Sequence, residues 1–228
     1  MPLDTVSPQP QLSSAKTSAV FAPLCLIAVL VITAIVYWPA LHAQFTNWDD
    51  DLHLTANPLF DPPMVHGVGR VWAKGFLGLY IPLSYTVWMF LGYATMPAKP
   101  IDGDHYLRPE VFHAANIVVH LLATAAVWLL LRRLLRRTSE RADTPATIAA
   151  TLGALIFALH PLQVETVAWV SGFRDGLAGC LSVIAVWQYI AYVQAEAPDA
   201  TGAPPPRRGL HYAAMFLACA AAYRRLHA

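Results

Sequence analysis

The stretch that decides the fold is Phe112–Arg137, FHAANIVVHLLATAAVWLLLRRLLRR. Its first 20 residues, Phe112 to Leu131, carry no charge. About 20 apolar residues cross the hydrocarbon core of a bilayer. Arg132, Arg133, Arg136 and Arg137 follow at once, and Arg141 comes next. Arginines flanking a span stay on the cytoplasmic side. One segment therefore marks both a membrane helix and which of its ends faces inward.

The rest of the chain agrees with that class. Of 228 residues, 57% are hydrophobic and 13% charged, with a mean hydropathy of +0.46. A soluble domain carries about 25% charged residues, so the charge here is too sparse to cover a soluble surface. A disordered chain would need low hydrophobicity. The net charge of +1 supplies no field to attract nucleic acid. Cys25, Cys180 and Cys219 lie far apart in apolar runs, with no metal-ligand or disulfide spacing.

Residues 1–18 are rich in Pro, Ser and Gln and are expected to form a flexible cytoplasmic tail. Val20 to Ala40 is an uncharged run of 21 residues ending near Tyr37 and Trp38, so it is expected to be a retained first span. Further apolar segments are Phe76–Met96, Ala146–Leu159 (extending toward Val170), Gly176–Val193 and Leu210–Tyr223. Parity settles the doubtful one. If Phe76–Met96 does not span, the arginines after Leu131 and the pair Arg207-Arg208 both fall inside. If it spans, the five-arginine loop is thrown outside. Phe76–Met96 is therefore expected to be interfacial or re-entrant. The expected fold is an all-α polytopic bundle of about five spans, with interfacial helices in a large outer loop, residues 41–111. The N-terminus is cytoplasmic. The chain stops in the first turns of its fifth segment, so residues 19–228 read as the N-terminal portion of a longer membrane domain.

Three polar groups stand out. Asn47-Trp48-Asp49-Asp50-Asp51 follows the first span. Adjacent carboxylates there suit a general base, a divalent-cation site or a solvated acidic loop. His160-Pro161 through Glu165, with Arg174-Asp175, flanks the next outer turn. Ionisable groups at such a place line a cavity or pair with each other. Arg174 suits either a phosphate or a structural carboxylate. His113, Asn116, His120 and Thr124 share one helix face. That stripe suits interhelical hydrogen bonds, a cavity wall or haem ligation. No nucleotide-binding, serine-hydrolase or zinc-protease motif is present.

Four sequence elements also carry a family resemblance. They are Phe45-Thr46-Asn47-Trp48-Asp49-Asp50 with Asn57-Pro58; Pro82-Leu83-Ser84; His113 through Asn116 to His120-Leu121-Leu122; and His160-Pro161 through Glu165 and Val167-Ala168 to Arg174-Asp175. In this order they resemble the transmembrane and tetratricopeptide-repeat-containing O-mannosyltransferases acting on cadherins, with their bacterial relatives, in the GT-C glycosyltransferase superfamily. The resemblance covers about Val20 to Val193. It implies a multi-pass enzyme of the bacterial inner membrane, or of the endoplasmic reticulum. Such an enzyme moves a sugar, mannose in the named family, from a polyprenyl-phosphate donor to a protein or glycan acceptor. The family's acidic catalytic residue then falls on Asp49 or Asp50, with a divalent cation as a candidate cofactor on the same pair. Arg174, His160, Glu165, Asp175, His113, Asn116 and His120 are the matching candidates for donor-phosphate and substrate binding. Departures are the third acid Asp51, an insertion from Pro97 to Leu107, Gly172-Phe173 before Arg174, and the lack of repeats. The competing expectation is a non-catalytic transporter subunit or scaffold, or an inactive remnant of such an enzyme.

Overall fold

The computed structural model describes residues 12–101, 105–138, 143–194 and 213–214. Among them the chain is mostly helical, with isolated bridges but no strand. The helices are α1 (Leu12–Tyr37), α2 (Val68–Ala73), α3 (Pro82–Ala94), α4 (Pro109–Thr138), α5 (Asp143–Ala158), α6 (Gln163–Ala168) and α7 (Phe173–Gln194). Both α3 and α4 open on a proline, whose fixed φ and missing N–H suit a first helical turn. Glu110 in α4 and Asp143 in α5 place negative charge at positive helix ends.

Three segments are long and apolar enough to cross a membrane: Val20–His42, Pro109–Arg136 and Val170–Val193. Asp143–Ala158 is apolar but shorter. The first helix begins at Leu12, ahead of the apolar run that starts at Val20. The segment from Ala146 does not run on to Val170. It ends at Ala158, and α6 starts afresh at Gln163. Pro161 accounts for the break, because the residue before a proline is driven out of the helical region. Leu210–Tyr223 lies outside the described residues, apart from Ala213 and Ala214.

Helix α4 is central and packs on α1, α5 and α7. Its contacts fix the directions. Near its start, His120 approaches the last residue of α5, Ala158. Near its end, Arg132 meets the first residue of α5, Asp143, so the two helices are antiparallel. Tyr37, the last residue of α1, also bonds to Ala158, so α1 runs with α5. Val119 and Ala123 of α4 pack in one cluster with Phe173 and Cys180 of α7, so α7 runs with α4. Small residues permit close approach, as bilayer helices require. Ala150 and Ala154 of α5 are fully buried against Ala22 and Val29 of α1 and Trp128 of α4. Large apolar side chains point outward from α1 (Leu24, Ile27, Val31, Ile35) and α5 (Ile148, Leu152, Ile156). Contiguous apolar surface of that kind marks a lipid or protein contact.

Residues 41–101 and 105–108 layer across the Tyr37 end. Here Phe76–Met96 is a tight turn followed by α3, whose 13 residues are about 20 Å long against a hydrocarbon core of about 30 Å. The turn places Leu77 (φ 49°) and Gly78 (φ 77°) in left-handed conformations. Tyr85 and Trp88 of α3 are buried, with Phe60, Phe112 and Phe173 around them. This aromatic cluster joins the layer to the bundle.

Candidate functional site

The acidic stretch after α1 folds as a helical turn, so Asp49 and Asp50 point to different surroundings. Asp50 is fully buried. Its Oδ2 accepts hydrogen bonds from the Thr46 N–H at 2.9 Å and the Thr46 hydroxyl at 2.7 Å. Its Oδ1 accepts from the Ser171 N–H at 2.9 Å and the Ser171 hydroxyl at 2.5 Å. Four donors therefore hold one carboxylate. Ser171 reaches it because the turn Val170–Gly172 lies tightly on α6. A Cβ at Gly172 would sit 2.7 Å from the Thr166 carbonyl oxygen, so only glycine fits.

Asp49 is the opposite case. Its side chain is 27% exposed, and its Oδ2 receives Arg174 Nη2 at 3.1 Å. Arg174 Nε also lies 3.6 Å from Asp175 Oδ2, a carboxylate that is 52% exposed. The pair joins segments 125 residues apart. One turn further on, His53 is buried, with Nδ1 2.6 Å from the Tyr85 hydroxyl. Burial lowers the His53 pKa from its ordinary value, and the Arg174 charge lowers it further. Asp49 and Asp50 pull the other way. Burial pushes the Tyr85 hydroxyl well above its usual range, against the pull of Arg174. The neutral forms of both are thus favoured. Asn57 closes this turn, donating from Nδ2 to the His53 carbonyl and accepting from the Leu59 N–H.

The polar face of α4 serves the packing of helix ends. Asn116 Nδ2 donates to the Trp169 carbonyl at 2.6 Å and the Thr166 carbonyl at 3.3 Å. His120 Nε2 lies 3.0 Å from the Ala158 carbonyl, which also accepts from the Tyr37 hydroxyl. That carbonyl belongs to the last turn of α5, where intrahelical partners run out. Asn116 Nδ2 and His120 Nε2 thus bridge helix ends, while Asn116 Oδ1 is buried without a hydrogen-bond partner. His120 also stacks on Phe157. A ring held in this way is not placed as a haem ligand. His113 is buried, with its ring against the backbone of Ala43 and Gln44. The hydroxyl of Thr124 is buried without a hydrogen-bond partner.

The remaining candidates are spread out. His160 is exposed, and its Nδ1 accepts the Leu162 N–H within its own turn. Glu165 is exposed on α6. Asn116 and His120 instead line a groove of about 170 Å³ with Gln163, Phe173, Asp175 and Cys180. Its Asp175 end adjoins Arg174. The site thus brings Asp49, Arg174 and Asp175 together, with Asn116 and His120 along the groove. His160 and Glu165 do not line the groove.

A divalent cation does not fit the acidic pair. Asp50 already accepts four hydrogen bonds, and a guanidinium occupies the place beside Asp49 where a cation would sit. Among the described residues no group of three or more His, Cys, Asp or Glu side chains is arranged to hold a metal. Sequence reasoning missed His53, Tyr85 and Ser171. His53 could have been found as the fourth residue after Asp49, one helical turn away. Ser171 carries no local signal at all.

No known protein family, curated protein or solved structure matches the chain.

Proposed function

We propose that the chain is a membrane glycosyltransferase, or the N-terminal part of one. It moves a sugar from a polyprenyl-phosphate carrier to an acceptor hydroxyl at the outer face, as the resemblance implies, with a GT-C-like bundle of about five spans. The observation that carries this is the Asp49–Arg174 pair. It is a partly exposed carboxylate against a guanidinium, at the bundle end opposite Arg132 and Arg136 in the last turns of α4, beside a groove between helices.

Asp49 takes the proton of the acceptor hydroxyl. The acceptor oxygen forms its bond to the anomeric carbon as the bond from that carbon to the phosphate oxygen breaks. The electron pair leaves on the phosphate, whose added negative charge Arg174 stabilises. A phosphate is a good leaving group, so no strong general acid is needed. Asp175 orients Arg174, and the carrier's first isoprene units lie in the groove walled by Phe173 and Cys180. His53 and Tyr85, both neutral, form the wall behind Asp49. Asp50 is a clamp in this scheme and not the base. The test is transfer from polyprenyl-phosphate sugars by the purified protein in its longest genomic form, reconstituted in liposomes. Asp49→Asn should lower turnover by about 10² to 10⁴. Turnover left unchanged by this substitution overturns the assignment.

The hydrogen bonding of Asn116 and His120 favours a second reading, a non-catalytic scaffold whose polar residues only tie helices together. In that case no variant at Asp49 or Arg174 affects sugar transfer, and no transfer is measured.

A further inference from the structure

Trp48 is the most exposed tryptophan among the described residues, at 75%. It stands beside Trp169, with ring centroids 6.2 Å apart and planes inclined at 33°. The next residue after Trp48 is Asp49, and five residues after Trp169 comes Arg174. The indole pair and the ion pair are therefore built from the same two chain segments. Trp169 is held in place: its carbonyl accepts from Asn116 at 2.6 Å, and its backbone N–H donates to the Glu165 carbonyl at 3.2 Å. Its indole Nε1 is buried and has no hydrogen-bond acceptor.

A largely bare indole costs free energy in water unless something covers it. The interfacial role of tryptophan is filled by Trp38, which closes the first span and is 61% exposed. Trp48 comes ten residues later, past the non-helical stretch from Ala43 to Thr46, beside the turn that carries the carboxylate. The face of an aromatic ring is electron-rich, and the C–H face of a pyranose is weakly positive and apolar.

From this we infer that Trp48 and Trp169 form a stacking platform for a pyranose ring next to Asp49. The inference rests on the transfer reading for its substrate class, but it is measured by binding. The probes are polyprenyl phosphates bearing mannose, glucose or galactose, the bare polyprenyl phosphate, and the three methyl glycosides. Each is titrated against the full protein in nanodiscs. Trp48→Ala weakens at least one sugar-bearing probe about tenfold, the effect of one lost aromatic contact of about 1.4 kcal/mol. Binding of bare polyprenyl phosphate stays unchanged, which also shows that the variant is folded. Trp48→Phe keeps most of the affinity. A loss confined to the lipid-linked sugars places the donor sugar on the platform. A loss seen with a methyl glycoside places the acceptor there. Equal loss for bare and sugar-bearing lipid means membrane anchoring and overturns the platform, as does no loss for any probe. Turnover of Asp49→Asn, measured in parallel, reports on the transfer reading alone.

Discussion

Each end of the bundle carries an arginine bound to an aspartate, and the two are built differently. At one end Arg132 Nη2 reaches both Asp143 oxygens, at 2.9 and 2.7 Å. Its Nε donates to the Thr147 hydroxyl at 3.1 Å, and its guanidinium lies 5.4 Å from the Trp128 ring centre. Arg136 adds a second contact to the same carboxylate at 3.0 Å. Only 11 residues separate Arg132 from Asp143. This cluster closes a helical hairpin and sits at the start of α5, where a carboxylate also meets the positive helix end. At the other end Arg174 meets Asp49 across 125 residues, with a neighbouring carboxylate, Asp50, tied down separately. The first cluster completes local folding. The second is assembled only by the tertiary fold and leaves Asp49 partly open.

The sharpest way to break this contrast is Asp49→Asn. Sugar transfer is expected to fall by about 10² to 10⁴, the usual worth of a general base, while the thermal melt in detergent barely moves. Equal effects on turnover and melting would erase the distinction between the ends. Asp50→Ala should do the reverse. It strands four buried donors, and stability should drop by about 3 kcal/mol, seen as a lower melting temperature and lost protease resistance of the layer at the Tyr37 end. Gly172→Ala forces a methyl against the Thr166 backbone. A loss of about 1–3 kcal/mol is expected, together with weaker protection of the Ser171 amide in hydrogen exchange. Arg132→Ala should cost only about 1 kcal/mol, because the pair is partly exposed and Arg136 remains. Turnover should not change.

The smallest effect concerns pH. The folded-state pKa of His53 lies below its unfolded value, so folding favours the neutral ring. Between the two values the unfolded chain binds more protons, and stability rises with pH. This contribution is complete above the ordinary histidine pKa of about 6.5. It is lost as pH falls through and below that value. His53→Gln should flatten the slope of melting temperature against pH in that window. An unchanged slope would place the titrating group elsewhere.

The three long apolar helices were legible in the residues, because span length is a local signal. The runs from Val20, Phe112 and Gly176 are each long enough to be recognised by themselves. Ala146 onward misled because apolarity continues past the helix end, and Pro161 outweighs it. The helix also starts earlier than composition suggests, at Leu12. The site was legible in type but not in arrangement. Asp49 and Asp50 are neighbours with the same chemistry, and only the distant Ser171 and Arg174 separate their roles. A single strand of text holds no record of which neighbour a fold will bury. The stripe on α4 was visible as a stripe. That Asn116 and His120 serve backbone carbonyls at helix ends required knowing where α5 stops.

The four-donor clamp on Asp50 has a consequence for synthesis. Thr46 is made just before Asp50, but Ser171 is 121 residues downstream. At about 5–20 residues per second, the ribosome needs roughly 6–24 seconds to deliver the second half of the clamp. Throughout that interval half of the carboxylate has only water as a partner, and the layer carrying it cannot settle on the bundle. Assembly of this end therefore waits for the turn Val170–Gly172, and a nascent chain halted before Ser171 is expected to display an open, acidic, protease-sensitive loop.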